Sequence, residues 1–303
     1  MADILRIIKI MNSEQCKSTK IEWEEPKTKP FLKWAGGKLK VVPLLKKKFP
    51  KNGARFIEPF VGAGAVSLNV DYPSFIINDA NSDLIFVWQE LQTHGMDFVE
   101  ECKKMFTPQN NCREAFDDLK KEFNKSKNKL RRATLFVYLN RHCFNGLCRY
   151  NGSGGFNVPF GKYESPYFPQ EEFEKCYEKV KRFDLYNKDF REIFKMVEKD
   201  DVVYCDPPYF PLSESANFDS YSVGGFSLKD HLDLAAAAEN AANKGAIVVI
   251  SNHYSWYSRQ LYAVMHNGKI SSMDVARTIS SNTEERDSVK EITAVFKKDI
   301  NEK

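Results

Sequence analysis

The sequence has no Cys-x-x-Cys pair among its seven cysteines (Cys16, Cys102, Cys112, Cys143, Cys148, Cys176, Cys205), and their number is odd. Both observations argue against a zinc site and against a disulfide framework, and a reducing compartment suits such a chain. No run approaches the roughly 18 uninterrupted apolar residues that a membrane span requires. Met1 to Lys20 mixes charges where an export signal would carry an apolar core before a small-residue cleavage site. The expected location is therefore the cytoplasm, with no membrane partner.

What is present is a 303-residue chain that is 42% hydrophobic and 13% aromatic. That is enough to bury a substantial core and suits one large domain carrying a smaller one. The net charge of +4 is unevenly spread: from Arg113 to Tyr163 eleven Lys and Arg face four acids, so this segment is +7 and the remainder is −3. A solvated helical face explains such a run; a polyanionic partner explains it equally well.

Residues 1–26 show no period and end at Pro26, which reads as an N-terminal extension. From Phe31 the pattern becomes globular. A Trp-Ala-Gly-Gly turn leads into a Lys-rich helix through Lys48, and Arg55 to Phe60 reads as a strand. Gly62-Ala63-Gly64 follows, then Ala65 to Asn69 with helical character, then Phe75-Ile76-Ile77 as a second strand ending at Asn78-Asp79. This is a strand, glycine turn, helix, strand, acid unit.

Residues 82–190 are mostly helical, with apolar spacing for burial at Phe116, Leu119, Phe123 and at Leu130, Leu135, Tyr138, Leu139. Asn145-Gly146 makes a turn, and Asn151 to Gly155 crosses a hairpin toward Phe156-Asn157-Val158. After Phe190 the strand and helix rhythm returns with Val202-Val203-Tyr204, an alanine-rich helix near Leu234 to Ala242, and a buried strand at Ala246 to Ile250. The expected organisation is an α/β domain of 27–81 and 191–303, split by an insertion of 82–190.

Asp206-Pro207-Pro208-Tyr209 carries the sharpest chemical signal. The Asp206 carboxylate can accept from an exocyclic amine, and Pro207 offers a backbone carbonyl in a turn that the prolines stiffen. Tyr209 supplies a ring face for stacking. A strand running into an ordinary Asp-Pro-Pro turn is the simpler alternative. Gly62 and Gly64 after a strand, with Asp79 closing the next, are the arrangement by which a Rossmann-like sheet holds an adenosine moiety. A dinucleotide fold lacks its third glycine here, and Asp79 could instead cap the helix that begins near Asn81-Ser82.

Taken together, Phe31-Leu32-Lys33-Trp34-Ala35-Gly36-Gly37-Lys38, Glu58-Pro59-Phe60-Val61-Gly62-Ala63-Gly64 and Asp206-Pro207-Pro208-Tyr209, in that order, resemble the Dam family of DNA adenine-N6 methyltransferases. Within the insertion, Asn145 to Asn151 and Phe156 to Gly161 resemble its GATC-recognising branch. The resemblance runs from about Phe31 to Phe296. It implies a Rossmann-like methyltransferase sheet with an inserted, mainly helical DNA-recognition domain containing a hairpin loop. It implies S-adenosylmethionine as methyl donor, held by Trp34, Lys38, Phe60, Asp79 and Asp206, and no metal. Trp34 and Phe60 would face adenine or the sulfonium, Asp79 the ribose, and Lys38 the donor carboxylate.

The same resemblance makes Asp206, Pro207 and Tyr209 catalytic. Asp206 and the Pro207 carbonyl would accept the two N–H bonds of the adenine amine and stabilise the charge that develops on it. Tyr209 would stack on a base flipped from double-stranded DNA. Arg149 would read guanine, Leu147 and Pro159 a thymine methyl, and Phe144 would wedge where the base leaves. Lys33, Asn145 and Tyr163 would add DNA contacts, with Arg141 and the cluster from Lys125 to Arg132 on phosphates. The loop Pro211 to Tyr221 would order on DNA. A monomer in solution, associated with the nucleoid, is expected.

The chain departs from that pattern at His142-Cys143 before Phe144, at Tyr254 where an acid is common, and at Glu284-Glu285 after Arg277 to Asn282. His253 reads as a structural hydrogen-bonder. Two other functions compete: methylation of another planar amide or amine, such as a protein glutamine or RNA base, and a DNA-binding regulator that has lost catalysis. Arg149 in a basic insertion disfavours the first, and intact Asp206, Tyr209, Trp34 and Lys38 the second.

Overall fold

Short runs of β-branched and aromatic residues supply the strands. The computed structural model describes residues 28–210, 225–265, 268–276 and 288–298. The N-terminal extension, the loop Pro211 to Tyr221 and the segment from Arg277 through Glu285 lie outside the described residues. Seven strands, Arg55–Glu58 (β1), Ser74–Asn78 (β2), Phe183–Tyr186 (β3), Val202–Cys205 (β4), Ile247–His253 (β5), Gly268–Ala276 (β6) and Ser288–Phe296 (β7), form one sheet in the order β3-β2-β1-β4-β5-β7-β6. Strands β1 to β5 are parallel, and β7 pairs antiparallel with both β5 and β6.

The chain order reverses between β1 and β4. In an open α/β sheet, a crevice forms outside the carboxyl ends of the strands at such a point. Residues Glu58, Asp79 and Asp206 stand at or just beyond the carboxyl ends of β1, β2 and β4. This is the mixed α/β architecture with a Rossmann-like sheet that the sequence predicts.

Among the described residues the helices are Val42–Lys46 (α1), Ser82–His94 (α2), Met96–Lys103 (α3), Arg113–Lys125 (α4), Lys129–His142 (α5), Gln170–Val180 (α6), Phe190–Lys195 (α7), Leu228–Asn243 (α8) and Trp256–Ala263 (α9). Local chemistry sets their starts. The Asn81 side chain accepts from the amides of Asp83 and Leu84, Asn128 caps α5, and capping boxes open α8 (Ser227 and Asp230) and α9 (Ser255 and Ser258). Asn81, not Asp79, is thus the cap of α2. Among the described residues no helix is long and apolar enough to cross a membrane.

Three local expectations change. The helix expected over Ala65 to Asn69 is a single 3₁₀ turn, Ser67–Asn69, because the Ser67 amide donates to the Glu58 carboxyl instead of to a helical carbonyl. Leu130 is exposed (37%) in the first turn of α5, whereas Leu135, Tyr138 and Leu139 are buried as expected. Strand rhythm resumes at Phe183 rather than after Phe190, so β3 lies within the stretch read as the insertion. Helix α2 also packs on the sheet from within that stretch: the Trp88 ring lies 4.9 Å from that of Phe31 and 6.3 Å from that of Phe183. One continuous core accordingly runs from Phe56 and Phe75 of the sheet to Phe116, Leu135 and Phe173 of the helices.

The hairpin is present as a turn with minimal pairing. Tyr150 bridges Phe156, the Asn151 amide donates to Gly155 O, and the Asn151 side chain accepts from the Ser153 and Gly155 amides. Its arms are too short to count as strands.

Candidate active site

The β1–β2 register places Glu58 beside Ile77, so Asp79 follows two residues beyond the pairing. Gly62 and Gly64 adopt φ of 50° and 74°, in the region that favours glycine. A Cβ on Gly62 would come within 2.7 Å of Trp34 Nε1. The Gly62 amide donates to Asp79 Oδ2 at 3.0 Å, while the Asn81 amide donates to Oδ1 at 2.9 Å. Burial pushes the Asp79 carboxyl up from its ordinary range, and these two backbone bonds pull it back.

A cavity of about 850 Å³ opens at this edge of the sheet, lined among others by Trp34, Lys38, Glu58, Phe60, Gly62, Asp79, Asp206, Pro207 and Tyr209. The structure therefore brings together all the residues that the sequence reading assigned to donor binding and to catalysis. They come from four separate segments of the chain. Phe60 is held there by the rings of Phe190 and Phe226, at 5.4 and 5.6 Å.

Asp206 follows β4 and turns its two oxygens to different surroundings. Oδ2 lies 3.2 Å from Lys38 Nζ, whereas Oδ1 is buried and makes no hydrogen bond. Burial raises the Asp206 carboxyl, and the Lys38 ammonium opposes the rise. Lys38 has further partners: it donates to Gly36 O at 2.8 Å, lies 3.7 Å from Glu291 Oε1, and sits 4.7 Å from the centre of the Tyr209 ring. Its ammonium thus faces Asp206, Glu291 and Tyr209. The Tyr209 hydroxyl donates to Glu291 Oε2 at 3.1 Å, and its ring meets His253 edge-on at 4.7 Å. His253 Nδ1 bonds the Phe210 carbonyl at 2.9 Å, as a structural hydrogen-bonder would.

Two acids carry no chemical signal of their own in the sequence. Glu58 stands there only as part of a motif; it is fully buried, held by the Ser67 amide and hydroxyl, and burial pushes its carboxyl up to about 8. Glu291, on β7, carries no signal in its neighbourhood and reaches the site only because β7 runs antiparallel beside β5, opposite His253. Among the described residues no group of three His, Cys, Asp or Glu is placed to hold a metal ion.

A second constellation lies along α5 and the turn that follows it. The Phe144 amide donates to Pro159 O, the Asn145 amide to the Tyr163 hydroxyl at 3.0 Å, and the Leu147 amide to Phe144 O. Lys33 Nζ lies 4.2 Å from the centre of the Tyr163 ring, and burial lowers its pKa. Six of the seven residues expected at DNA are thereby gathered in one knot, with Phe144 and Pro159 exposed. Arg149 stands apart on the hairpin, exposed, with Nε donating to Asn157 Oδ1 at 2.8 Å and Nη2 to Asn157 O.

Asn140 fastens this knot to the cavity. Its buried side chain accepts from the Lys33 amide at 2.9 Å and donates to Lys33 O at 2.8 Å and to Gly146 O at 3.3 Å. The only sequence signal for it was an amide in an otherwise apolar helical stretch. Arg141 is corrected: it is buried, and Nε and Nη2 both donate to the Phe31 carbonyl, which makes it an internal brace. Part of the basic run is also spent internally, with Lys120 on Asp117, Lys121 on Asp118, Arg131 on Glu122 and Arg132 on Asp83.

Residues 34–298 match the family described as D12 class N6 adenine-specific DNA methyltransferase. A DNA adenine methylase of Vibrio cholerae serotype O1 is 44% identical over 271 residues, covering 89% of this chain and 96% of that protein. The DNA adenine methylase of Escherichia coli strain K12 is 42% identical over the same length and shares. That of Serratia marcescens is 42% identical over 272 residues, covering 89% and 99%.

Proposed function

The chain belongs to the D12 class of N6 adenine-specific DNA methyltransferases, and from that premise we propose that it transfers a methyl group from S-adenosylmethionine to adenine N6 in double-stranded GATC sites, on a base flipped out of the duplex. One observation carries the reading of the acceptor end. Asp206 Oδ1 is a buried acceptor with no hydrogen bond, beside Pro207 and Tyr209 in the cavity. An unpaired buried carboxylate oxygen is costly, and an exocyclic amine would satisfy it.

The donor's fit is supported by the same cavity. Trp34 and Phe60 offer apolar faces, Asp79 is fixed by two backbone amides for a ribose, and the carboxylates of Asp79 and Asp206 suit a cationic sulfonium. When bound, the donor supplies an electrophilic methyl group. The chain's own part is orientation and electrostatics. Asp206 and the Pro207 carbonyl accept from the amine, which directs its lone pair out of the ring plane and stabilises the positive charge that grows on it. Lys38 holds the other oxygen of Asp206 and so fixes which one meets the amine.

The inserted segment would recognise the target. Arg149 would read guanine from the hairpin, Leu147 and Pro159 would meet a thymine methyl, Phe144 would wedge into the stack, and Lys33, Asn145 and Tyr163 would complete the contact. Tyr209 would stack on the flipped base with the ring face that Lys38 leaves uncovered. We expect a monomer acting on chromosomal DNA in the cytoplasm.

Purified protein with labelled donor tests this against duplexes that contain or lack GATC. Incorporation confined to the first supports the reading; equal incorporation removes the specificity. Asp206→Ala should abolish transfer while duplex binding persists, and retained transfer would remove the mechanism.

A further inference from the structure

Glu291 is a buried carboxylate (8% exposed) with no place in the mechanism above. An ionisable group on an edge-proximal strand is usually turned to water, because burying a charge is costly unless it is paired. The partners that Glu291 finds are both parts of the acceptor site. Oε2 accepts the Tyr209 hydroxyl at 3.1 Å, and Oε1 lies 3.7 Å from Lys38 Nζ. Its backbone is equally well placed: it pairs with His253, whose ring lies edge-on to Tyr209 at 4.7 Å.

We propose that Glu291 is a positioning residue of the methyl-transfer site, which orients the Tyr209 ring through its hydroxyl and shares the Lys38 ammonium with Asp206. The inference rests on the reading of Asp206 and Tyr209 given above. Tyr209 is held at its hydroxyl by Glu291, with the Asp206 carboxylate also close by, at its ring by His253 edge-on, and by the Lys38 ammonium over the ring. Without Glu291 the hydroxyl is left to Asp206 alone, so the ring turns about its side-chain torsions and the stacking plane for the base shifts.

The second effect is electrostatic. One ammonium stands between two carboxylates, so the cluster keeps a net negative charge when both are ionised. That charge lies where positive charge passes from the sulfonium to the amine. Burial pushes the Glu291 carboxyl up, and Lys38 opposes the rise. With Glu291 drawing part of the ammonium, Lys38 does not close over Asp206 entirely, and Oδ1 stays clear for the amine.

The test uses the full-length protein, GATC duplex and labelled donor, with single-turnover transfer rates measured beside equilibrium binding of donor and duplex. Glu291→Ala should slow single-turnover transfer by about 10- to 100-fold, the scale of a misplaced reacting group, while both affinities stay within about two-fold. Glu291→Gln keeps an acceptor for the Tyr209 hydroxyl and should recover part of the loss.

Tyr209→Phe combined with Glu291→Ala should be no slower than the worse of the two single variants, since both break the same link. A transfer rate per folded molecule equal to that of the unsubstituted protein in Glu291→Ala would overturn the proposal. So would a loss confined to thermal stability, or full additivity in the double variant. Asp206→Ala, run in parallel, separates the two levels. If it is active, the reading of the site fails; if it is inactive while the Glu291 variants are normal, only the role of Glu291 fails.

Discussion

Lys38 Nζ stands 3.2 Å from Asp206 Oδ2, both side chains nearly enclosed, and this pair joins the first sequence motif to the last. It leaves Asp206 with one oxygen neutralised and one unbonded. On the proposed reading, the free oxygen is the one that would accept from the amine.

Because burial raises the Asp206 carboxyl and Lys38 opposes the rise, Lys38→Met removes the opposing charge while keeping most of the side-chain stem. On the proposed reading Asp206 must be ionised to accept the amine N–H and to stabilise the positive charge that develops on the nitrogen. Its protonation would then begin at higher pH, and the acid limb of the kcat/KM profile should move toward neutrality. A profile that keeps its acid limb while falling uniformly would show that Lys38 acts elsewhere.

Glu58 gives a prediction about stability. Its carboxyl ordinarily titrates near 4.5 and is pushed up to about 8 by burial. Between those values the folded protein holds a proton that the unfolded chain releases, so this contribution is complete below about 4.5 and is lost as pH rises through about 8. The slope reaches about 1.4 kcal/mol per pH unit. Glu58→Gln keeps an acceptor for Ser67 and cannot titrate. Urea unfolding from pH 5 to 8 should therefore show a flatter stability curve for the variant, and parallel curves would remove Glu58 as the source.

Arg149 is exposed, and among the described residues it bonds to Asn157. Arg149→Ala should leave unfolding unchanged while relaxing discrimination at one base pair by about 1 to 3 kcal/mol. Competition with duplexes substituted one position at a time reads this directly. A uniform loss over all sequences, with a shallower salt dependence, would make Arg149 a phosphate contact.

Asn140 holds both backbone polar groups of Lys33 and the Gly146 carbonyl. Asn140→Ala should cost about 1 to 3 kcal/mol of stability, the penalty for leaving buried partners unpaired. Asn140→Asp keeps the acceptor for the Lys33 amide but turns a buried carboxylate oxygen toward two backbone carbonyls, so at neutral pH it should cost at least as much as Asn140→Ala. Denaturant midpoints measure both. Since the turn proposed to meet DNA is tied through Asn140 to the residue before Trp34, discrimination among duplexes should weaken as well.

Much of the site was legible because its chemistry is local. The Asp206-Pro207-Pro208-Tyr209 turn, the glycines at 62 and 64 and the strand before each are set by backbone torsion, by proline and by side chains within a few residues. So is the buried helical face through Leu135 and Leu139, whereas the cap of α2, read at Asp79, is Asn81. The sequence by itself therefore determined the strand and helix rhythm, the motifs and the segments that meet at the cavity. Tertiary structure alone decided the partners. Arg141 turned inward to the Phe31 carbonyl, β3 joined the sheet from within the insertion, and Lys38 came to face Asp206. Glu291 reached Tyr209 because β7 is inserted antiparallel between β5 and β6. Strand order and direction are properties of the whole sheet and leave no period in the chain, so a charged residue on β7 gives no sign in sequence of whether it meets water or Tyr209.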